Sequence, residues 1–185
     1  MERFISRFLP PAYIVGLCGV LIGAFSVQLF MAECPCPLCM LQRYFFLLAI
    51  VGPLWALCRQ RKKGPSRRVT LIGWSVSIPS CIAGLVVSGR QVLLHIAPGD
   101  PGYGTPLIGL HLYTWAFLTF FLAMIAAVVG IAFAAGYVDS TALPRCVTGV
   151  VFFIVAANVV GIFFLEGFHW VLPDNPTHYA LWNER

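Results

Sequence analysis

Three of the seven cysteines, Cys34, Cys36 and Cys39, lie close together in the chain, between two long apolar runs. Cys36 and Cys39 form a CxxC pair, the spacing at which two thiols can close a small, reducible ring. We expect the next helix to begin near Cys39, where unpaired N–H groups and the helix dipole favour a thiolate. Arg43 follows Cys39 by four residues, so on a helix its charge lies one turn along the same face. The combination predicts thiol redox chemistry or, alternatively, a metal-binding knuckle.

The composition predicts that membrane-spanning helices flank these residues. Of the 185 residues, 59% are hydrophobic and only 10% are charged, and the mean hydropathy is +0.86. A membrane-spanning helix needs roughly 17–25 mostly apolar residues. Five runs reach that length: 11–31, 41–57, 69–87, 110–135 and 147–165. The sequence therefore predicts an all-α integral membrane protein, an antiparallel four-helix transmembrane bundle with a fifth transmembrane helix.

The distribution of basic residues predicts the orientation of these helices. Lysine and arginine are concentrated before the first run, between the second and third, and between the fourth and fifth. Such segments face the cytoplasm by the positive-inside rule, which places the N-terminus there. The cysteine cluster and the C-terminal tail then face the opposite, oxidising side, where disulfides persist. We therefore interpret the net charge of +5 as a topology signal, with the lipid bilayer and no nucleic acid as partner.

The third run ends in polar residues that are further candidates for a site. Arg90 and His95 would lie at the outer membrane edge, near the cysteine cluster if the helices bundle. Arg90 has the alternative of snorkelling to lipid headgroups, and His111 is interpreted as an interfacial histidine rather than a site residue. The other cysteines are expected to be small apolar packing residues: Cys18, Cys58, Cys81 and Cys146.

The segment 36–43, Cys-Pro-Leu-Cys-Met-Leu-Gln-Arg, resembles the CxLCxxxR signature of the DsbB family, the bacterial inner-membrane disulfide-bond formation protein B. The resemblance covers roughly residues 12–135 and includes the polar end of the third span. It implies a thiol oxidase that passes electrons from a periplasmic DsbA-like protein to a membrane quinone, ubiquinone or menaquinone. Cys36 would exchange disulfides and Cys39 would face the quinone. Arg43 would belong to the quinone site, and we add Arg90 and His95 to that site.

The same resemblance implies a location and a division of the chain. The location is the bacterial inner (cytoplasmic) membrane, with the CxxC pair and the tail in the periplasm. Residues 1–135 would form a DsbB-like four-helix membrane domain with the pair at its periplasmic end. Residues 136–185 would add a transmembrane helix and a periplasmic interfacial tail.

The chain departs from the family pattern in two places. Family members carry a second cysteine pair between spans three and four, whereas residues 96–108 contain no cysteine. The fifth span and the tail are also additional. Electrons could still reach the CxxC pair in three ways. A partner thiol could attack Cys36 directly, another protein could supply the missing pair, or Cys34 could receive the electrons through a strained disulfide with Cys36. Direct attack needs no strained ring, and we favour it.

Three alternatives to this function stay open. The first is a quinone-linked thiol enzyme similar to the vitamin K epoxide reductases, which place CxxC near the end of a late span. The second is a catalytically retired DsbB homologue that serves as a structural or assembly subunit. The third is a membrane protein that binds metal or haem through Cys34, Cys36 and Cys39 together with His95 or His111. The presence of Arg43 argues against the last two, because a structural subunit does not need it and a cation weakens metal binding.

Overall fold

The computed structural model describes residues 2–30, 35–64, 66–134 and 145–166. These residues form five helices: α1 (Glu2–Phe30), α2 (Pro37–Lys63), α3 (Arg67–Leu94), α4 (Leu112–Ala132) and α5 (Arg145–Glu166). Within the described ranges there is no strand beyond one isolated bridge between Leu107 and Leu110. The predicted all-α class is therefore confirmed.

Helices α1 to α4 are each long and apolar enough to cross a membrane. The chain is thus a multi-pass membrane protein, as its hydropathy predicts. The described side chains of α5 supply a shorter apolar stretch, Thr148–Asn158. That α5 crosses the membrane stays a prediction, as does the division of the chain at residue 135. The predicted interfacial tail, residues 167–185, lies outside the described residues.

The boundaries of α2 correct the sequence-based prediction. The helix begins at Pro37, two residues before the start near Cys39 that the sequence predicts, because Cys36 caps it and Pro37 supplies a first residue that needs no N–H partner. It continues to Lys63, beyond the predicted apolar run 41–57, so the basic residues 59–63 belong to α2. Gly64, with φ +86°, ends it, and its N–H donates to the carbonyl oxygen of Gln60 over 2.8 Å. Cys39 therefore lies within the first turn of α2.

Close contact between α2 and α3 forms the centre of the bundle. A Cβ atom at Gly73 would lie 2.8 Å from the carbonyl oxygen of Gly52, so the two backbones touch and neither glycine has room for a side chain. The hydroxyl of Ser77 on α3 donates to the carbonyl oxygen of Ala49 on α2 over 2.7 Å. α4 closes the core, since Phe120 stacks on Phe46 with ring centroids 3.8 Å apart. This packing fixes the beginning of α2 beside the end of α3.

The segment between α3 and α4 folds back over the end of the bundle. Nδ1 of His111 donates a hydrogen bond to the carbonyl oxygen of Gly104 over 3.0 Å. The indole N–H of Trp115 donates to the carbonyl oxygen of Leu107 over 2.9 Å. Gly102 has φ +72°, and a Cβ atom there would lie 2.5 Å from Nε2 of His111. Residues 102, 104 and 107 of the segment therefore lie against the beginning of α4.

Candidate functional site

The first turn of α2 brings the two cysteines of the CxxC pair together. Cys36 is the N-cap, and its Sγ accepts a hydrogen bond from the backbone N–H of Cys39 over 3.2 Å. The two sulfur atoms lie 2.7 Å apart as free thiols, compared with about 2.05 Å in a disulfide. The pair can therefore form and break its bond with little backbone movement.

The two cysteines differ in their surroundings. Cys36 is 5% exposed, while Cys39 is half-buried and lines a cavity. The hydrogen bond to Cys39, together with burial, raises the pKa of the Cys36 thiol. Cys34, the third member of the cluster, lies outside the described residues.

A buried glutamine from α3 bonds to both sulfur atoms. Nε2 of Gln91 lies 3.3 Å from Sγ of Cys36 and 3.5 Å from Sγ of Cys39. The other end of its amide is also held, because Nε2 of Gln42 donates to Oε1 of Gln91 over 2.8 Å. Gln91 and Gln42 are 2% and 5% exposed. Neither residue was predicted from the sequence to belong to the site, although a polar side chain near the end of an apolar helix is a signal that could have identified them.

Arg43 lies one turn beyond Cys39 on α2, as predicted, and reaches across to α1. Its Nη1 donates to Oε1 of Gln28 over 2.6 Å, and its Nη2 donates to the carbonyl oxygen of Ala24 over 3.2 Å. The guanidinium carbon also lies 4.8 Å from the ring centroid of Phe25. With 9% of its surface exposed, this arginine is fixed by α1 within the bundle.

Cys39 and Arg43 line one cavity of about 110 Å³. The volume is of the same order as the roughly 150 Å³ cavity that holds a benzene ring in another protein. α2 provides a largely buried wall, and α1 and α4 contribute the other helical side chains. Its other lining residues are apolar or aromatic, apart from Gln42: Val20, Leu21, Ala24, Val27, Pro35, Phe46, Tyr103, Gly104, Leu112, Tyr113, Trp115 and Ala116. The arrangement suits a small, flat ring that needs one cationic hydrogen-bond donor.

His95 and His111 are not among the residues that line this cavity. Each of them stacks on Tyr113, which does line it, with ring centroids 5.5 Å apart for His95 and 5.2 Å apart for His111. Nδ1 of His95 also lies 3.1 Å from Oδ1 of Asp100. The structure therefore brings His95 into the outer layer of the site through Tyr113. Arg90 is exposed on α3 and is not among the lining residues.

Asp100 organises the segment over the cavity. Its Oδ1 accepts a hydrogen bond from the backbone N–H of Gly102 over 2.8 Å and faces His95. These two hydrogen bonds, the backbone one first, lower the pKa of the Asp100 carboxyl. The carboxylate form thus maintains the turn that carries Tyr103 and Gly104 to the cavity.

The histidines also bear on the metal-binding alternative. Among the described residues, no group of three or more His, Cys, Asp or Glu side chains is arranged to hold a metal ion. His95 and His111 are engaged by Asp100 and by the backbone of Gly104, and both stack on Tyr113. The described residues thus give the metal alternative no support.

The chain is thus a helical membrane protein that carries a dithiol at one end of its helix bundle. The family model of disulfide bond formation protein DsbB matches residues 6–103, more than half of the chain. The chain therefore belongs to the DsbB family of disulfide bond formation proteins. This confirms the resemblance drawn from the signature 36–43.

Curated relatives agree with that assignment. Disulfide bond formation protein B 1 of Pseudomonas fluorescens is 27% identical over 146 residues, which cover 62% of this chain and 83% of that protein. The protein of the same name from Pseudomonas putida is 28% identical over 146 residues, covering 62% and 84%. The one from Pseudomonas savastanoi pv. phaseolicola is 32% identical, but the match spans only 45% of this chain and 47% of that relative. No solved structure matches the chain.

Proposed function

We propose that this protein is a quinone-dependent thiol oxidase that generates disulfides for a periplasmic dithiol protein similar to DsbA. Family membership supports the general chemistry of disulfide formation. The observation that carries the finer proposal is that Cys39 and Arg43 line the same cavity, next to a sulfur pair 2.7 Å apart.

The oxidation of the donor would use the Cys36–Cys39 disulfide. A donor thiolate attacks the sulfur of Cys36, the bond to Cys39 breaks, and Cys39 leaves as a thiolate. The second donor thiol then attacks the mixed disulfide, so that the donor departs with a disulfide and Cys36 departs as a thiol. Two electrons have moved to the CxxC pair, and the two protons from the donor go to Cys36 and to solvent or Cys39.

A quinone ring bound against Cys39 and Arg43 would be the next electron acceptor. A quinone supplies an acceptor for two electrons and two protons, so the disulfide is restored as quinol is formed. The guanidinium of Arg43 would donate hydrogen bonds to a ring oxygen and offset negative charge on it. The aromatic walls, Phe46 and Tyr113 among them, would exclude water from the ring.

Electrons would enter the pair through Cys36. Residues 96–108 lack the second cysteine pair of the family, so we propose direct attack on Cys36. Because Cys36 is only 5% exposed, a protein thiol reaches its sulfur only when covering side chains move. Cys34 would be the alternative receiving thiol.

We also propose the location that this function requires. The cavity and the CxxC pair would face the periplasm from the bacterial inner membrane, with the N-terminus in the cytoplasm. The basic end of α2, residues 59–63, lies at the opposite end of the helix from the pair, which accords with the positive-inside rule.

The test is quinone reduction by the purified protein in detergent. Ubiquinone and menaquinone analogues are supplied with either a reduced DsbA-like protein or dithiothreitol as donor. Turnover with the protein donor supports the whole proposal, and turnover with dithiothreitol alone supports only the quinone half. Absence of turnover with both donors, in a folded sample, contradicts the proposal and favours a retired homologue with a structural role.

A further inference from the structure

Gln91 is placed unusually for a residue of an apolar membrane helix. It is 2% exposed, and its amide nitrogen lies 3.3 Å from Sγ of Cys36 and 3.5 Å from Sγ of Cys39. Glutamine with a fully buried amide is costly in a membrane unless its groups are bonded. Here the nitrogen meets the cysteines of α2 and the oxygen meets Gln42 of α2, so the entire amide is committed to the dithiol site.

We propose that the amide of Gln91 sets the redox equilibrium of the Cys36–Cys39 pair by stabilising the reduced form over the disulfide. This inference rests on the proposed function, in which that pair is the redox centre. Its basis is the geometry of one donor nitrogen within hydrogen-bond distance of both sulfurs.

The physical reason is the difference between the sulfur species as acceptors. A disulfide sulfur is neutral and accepts hydrogen bonds weakly, whereas a thiolate carries a charge and accepts them strongly. A fixed N–H donor therefore stabilises a reduced pair that contains a thiolate more than it stabilises the disulfide. A more stable reduced form makes the disulfide a stronger oxidant of its donor.

Gln42 makes this effect directional. Its Nε2 donates to Oε1 of Gln91 over 2.8 Å, and this bond turns the nitrogen of Gln91 towards the sulfurs. The amide thus needs no reorientation when charge develops on Cys39 during exchange. Gln91 is in this sense a preorganised donor to the reacting atoms.

The equilibrium can be measured directly with glutathione buffers. The Cys36–Cys39 disulfide takes two electrons from two glutathione thiols, its S–S bond breaks, and one glutathione disulfide forms. Two protons pass from glutathione to the pair and to solvent. The reduced fraction is read by alkylation and mass spectrometry, in the full-length protein in detergent.

Two variants separate the donor from its packing. Gln91→Glu keeps the shape and the bond from Gln42, and at a pH that ionises the introduced carboxyl it replaces the N–H donor with an oxygen acceptor. Gln91→Met removes the donor and keeps most of the volume. The matched control is Gln60→Glu, because Gln60 is also 2% exposed but bonds to Thr70 near the other end of α2.

We expect Gln91→Glu to shift the exchange constant at least tenfold towards the disulfide, which corresponds to about 30 mV. Gln91→Met should shift it in the same direction by a smaller factor. The rate of Cys39 alkylation at fixed pH should fall with Gln91→Glu, because the thiolate is the reacting species. Gln60→Glu should stay within twofold of wild type in both measurements.

Two results would contradict these statements and can be told apart. If the wild-type pair titrates with glutathione but both folded Gln91 variants stay within twofold of it, the role of Gln91 is refuted and the proposed function stands. If the wild-type pair does not exchange with glutathione, the proposed function itself fails. Elution as a single species and unchanged helicity establish that a variant is folded, and Gln91→Met serves alone if Gln91→Glu does not fold.

Discussion

Arg43 of α2 and Gln28 of α1 are joined by a hydrogen bond of 2.6 Å between Nη1 and Oε1, and both side chains are almost fully buried. The bond ties the first helix to the turn that carries Cys39. Nη2 adds a second contact to α1 at the carbonyl oxygen of Ala24. The guanidinium of Arg43 lies on α2, the helix of the sulfur pair, but contacts with α1 hold it in position.

Replacement of Arg43 should weaken the quinone site. Arg43→Lys keeps the charge but loses the planar fork that reaches two acceptors on α1, and Arg43→Ala loses both. We expect the apparent quinone KM to rise about tenfold in the alanine variant, equivalent to about 1.4 kcal/mol, with the lysine variant in between. Steady-state quinone reduction with dithiothreitol measures this.

Arg59→Ala is the control for a lost arginine on the same helix, since Arg59 stacks on Trp55 beyond the middle of α2. Its quinone KM should be unchanged. An equal KM for Arg43→Ala and wild type would remove Arg43 from the quinone site.

Arg43→Ala should also lower the stability of the fold, because the buried side chain of Gln28 loses its hydrogen bond from Arg43. The expected loss in the free energy of unfolding is about 1–3 kcal/mol, and thermal denaturation measures it.

The two cysteines of the CxxC pair should be indispensable for oxidation. Cys36→Ser and Cys39→Ser each remove one half of the only dithiol within bonding distance among the described residues, so quinone reduction should fall to background. Cys18→Ser, Cys58→Ser and Cys81→Ser should retain activity. Turnover that survives either of the first two changes would show that electrons take another route.

Gly102→Ala should disturb the segment that covers the cavity. At φ +72° an alanine is strained, and its Cβ would lie 2.5 Å from Nε2 of His111, which stacks on the cavity residue Tyr113. Gly99→Ala is a matched control, because Gly99 also has positive φ (+88°) but open space around it. Both variants carry a backbone cost of about 1–2 kcal/mol, and only Gly102→Ala adds the clash.

We therefore expect Gly102→Ala to raise the quinone KM several-fold more than Gly99→Ala does. Hydrogen exchange of residues 100–113 should accelerate in the same order. Equal effects of the two substitutions would mean that strain in the segment matters and contact with His111 does not.

Asp100 should make the covering segment sensitive to acid. Its folded-state pKa is lowered, so its contribution is fully present above the ordinary aspartate pKa of about 3.9 and is lost as the pH falls through the folded value. At neutral pH, Asp100→Asn should accelerate hydrogen exchange at Gly102. As the pH falls below about 4, corrected exchange in the wild type should approach that of the variant. A difference that persists unchanged at low pH would assign the turn to contacts other than the carboxylate.

The class of fold and the spacing of the dithiol follow from the sequence alone. Apolar runs of membrane length can only be helices in a bilayer, because each backbone N–H and C=O must be bonded within its own segment. The spacing from Cys36 through Cys39 to Arg43 is local, and a helix converts it directly into one face. These features also carried the family resemblance that the comparison confirmed.

The packing of the helices determines which distant polar side chains contact Cys39 and Arg43. Gln91 lies 52 residues from Cys39 along the chain, and Gln28 lies 15 residues from Arg43. From the sequence, Arg90 and His95 were predicted to lie beside the site, whereas Gln91 was not. Neighbouring residues on a helix differ by about 100° in direction, so only the packing of α3 on α2 turned Gln91 inward and left Arg90 exposed.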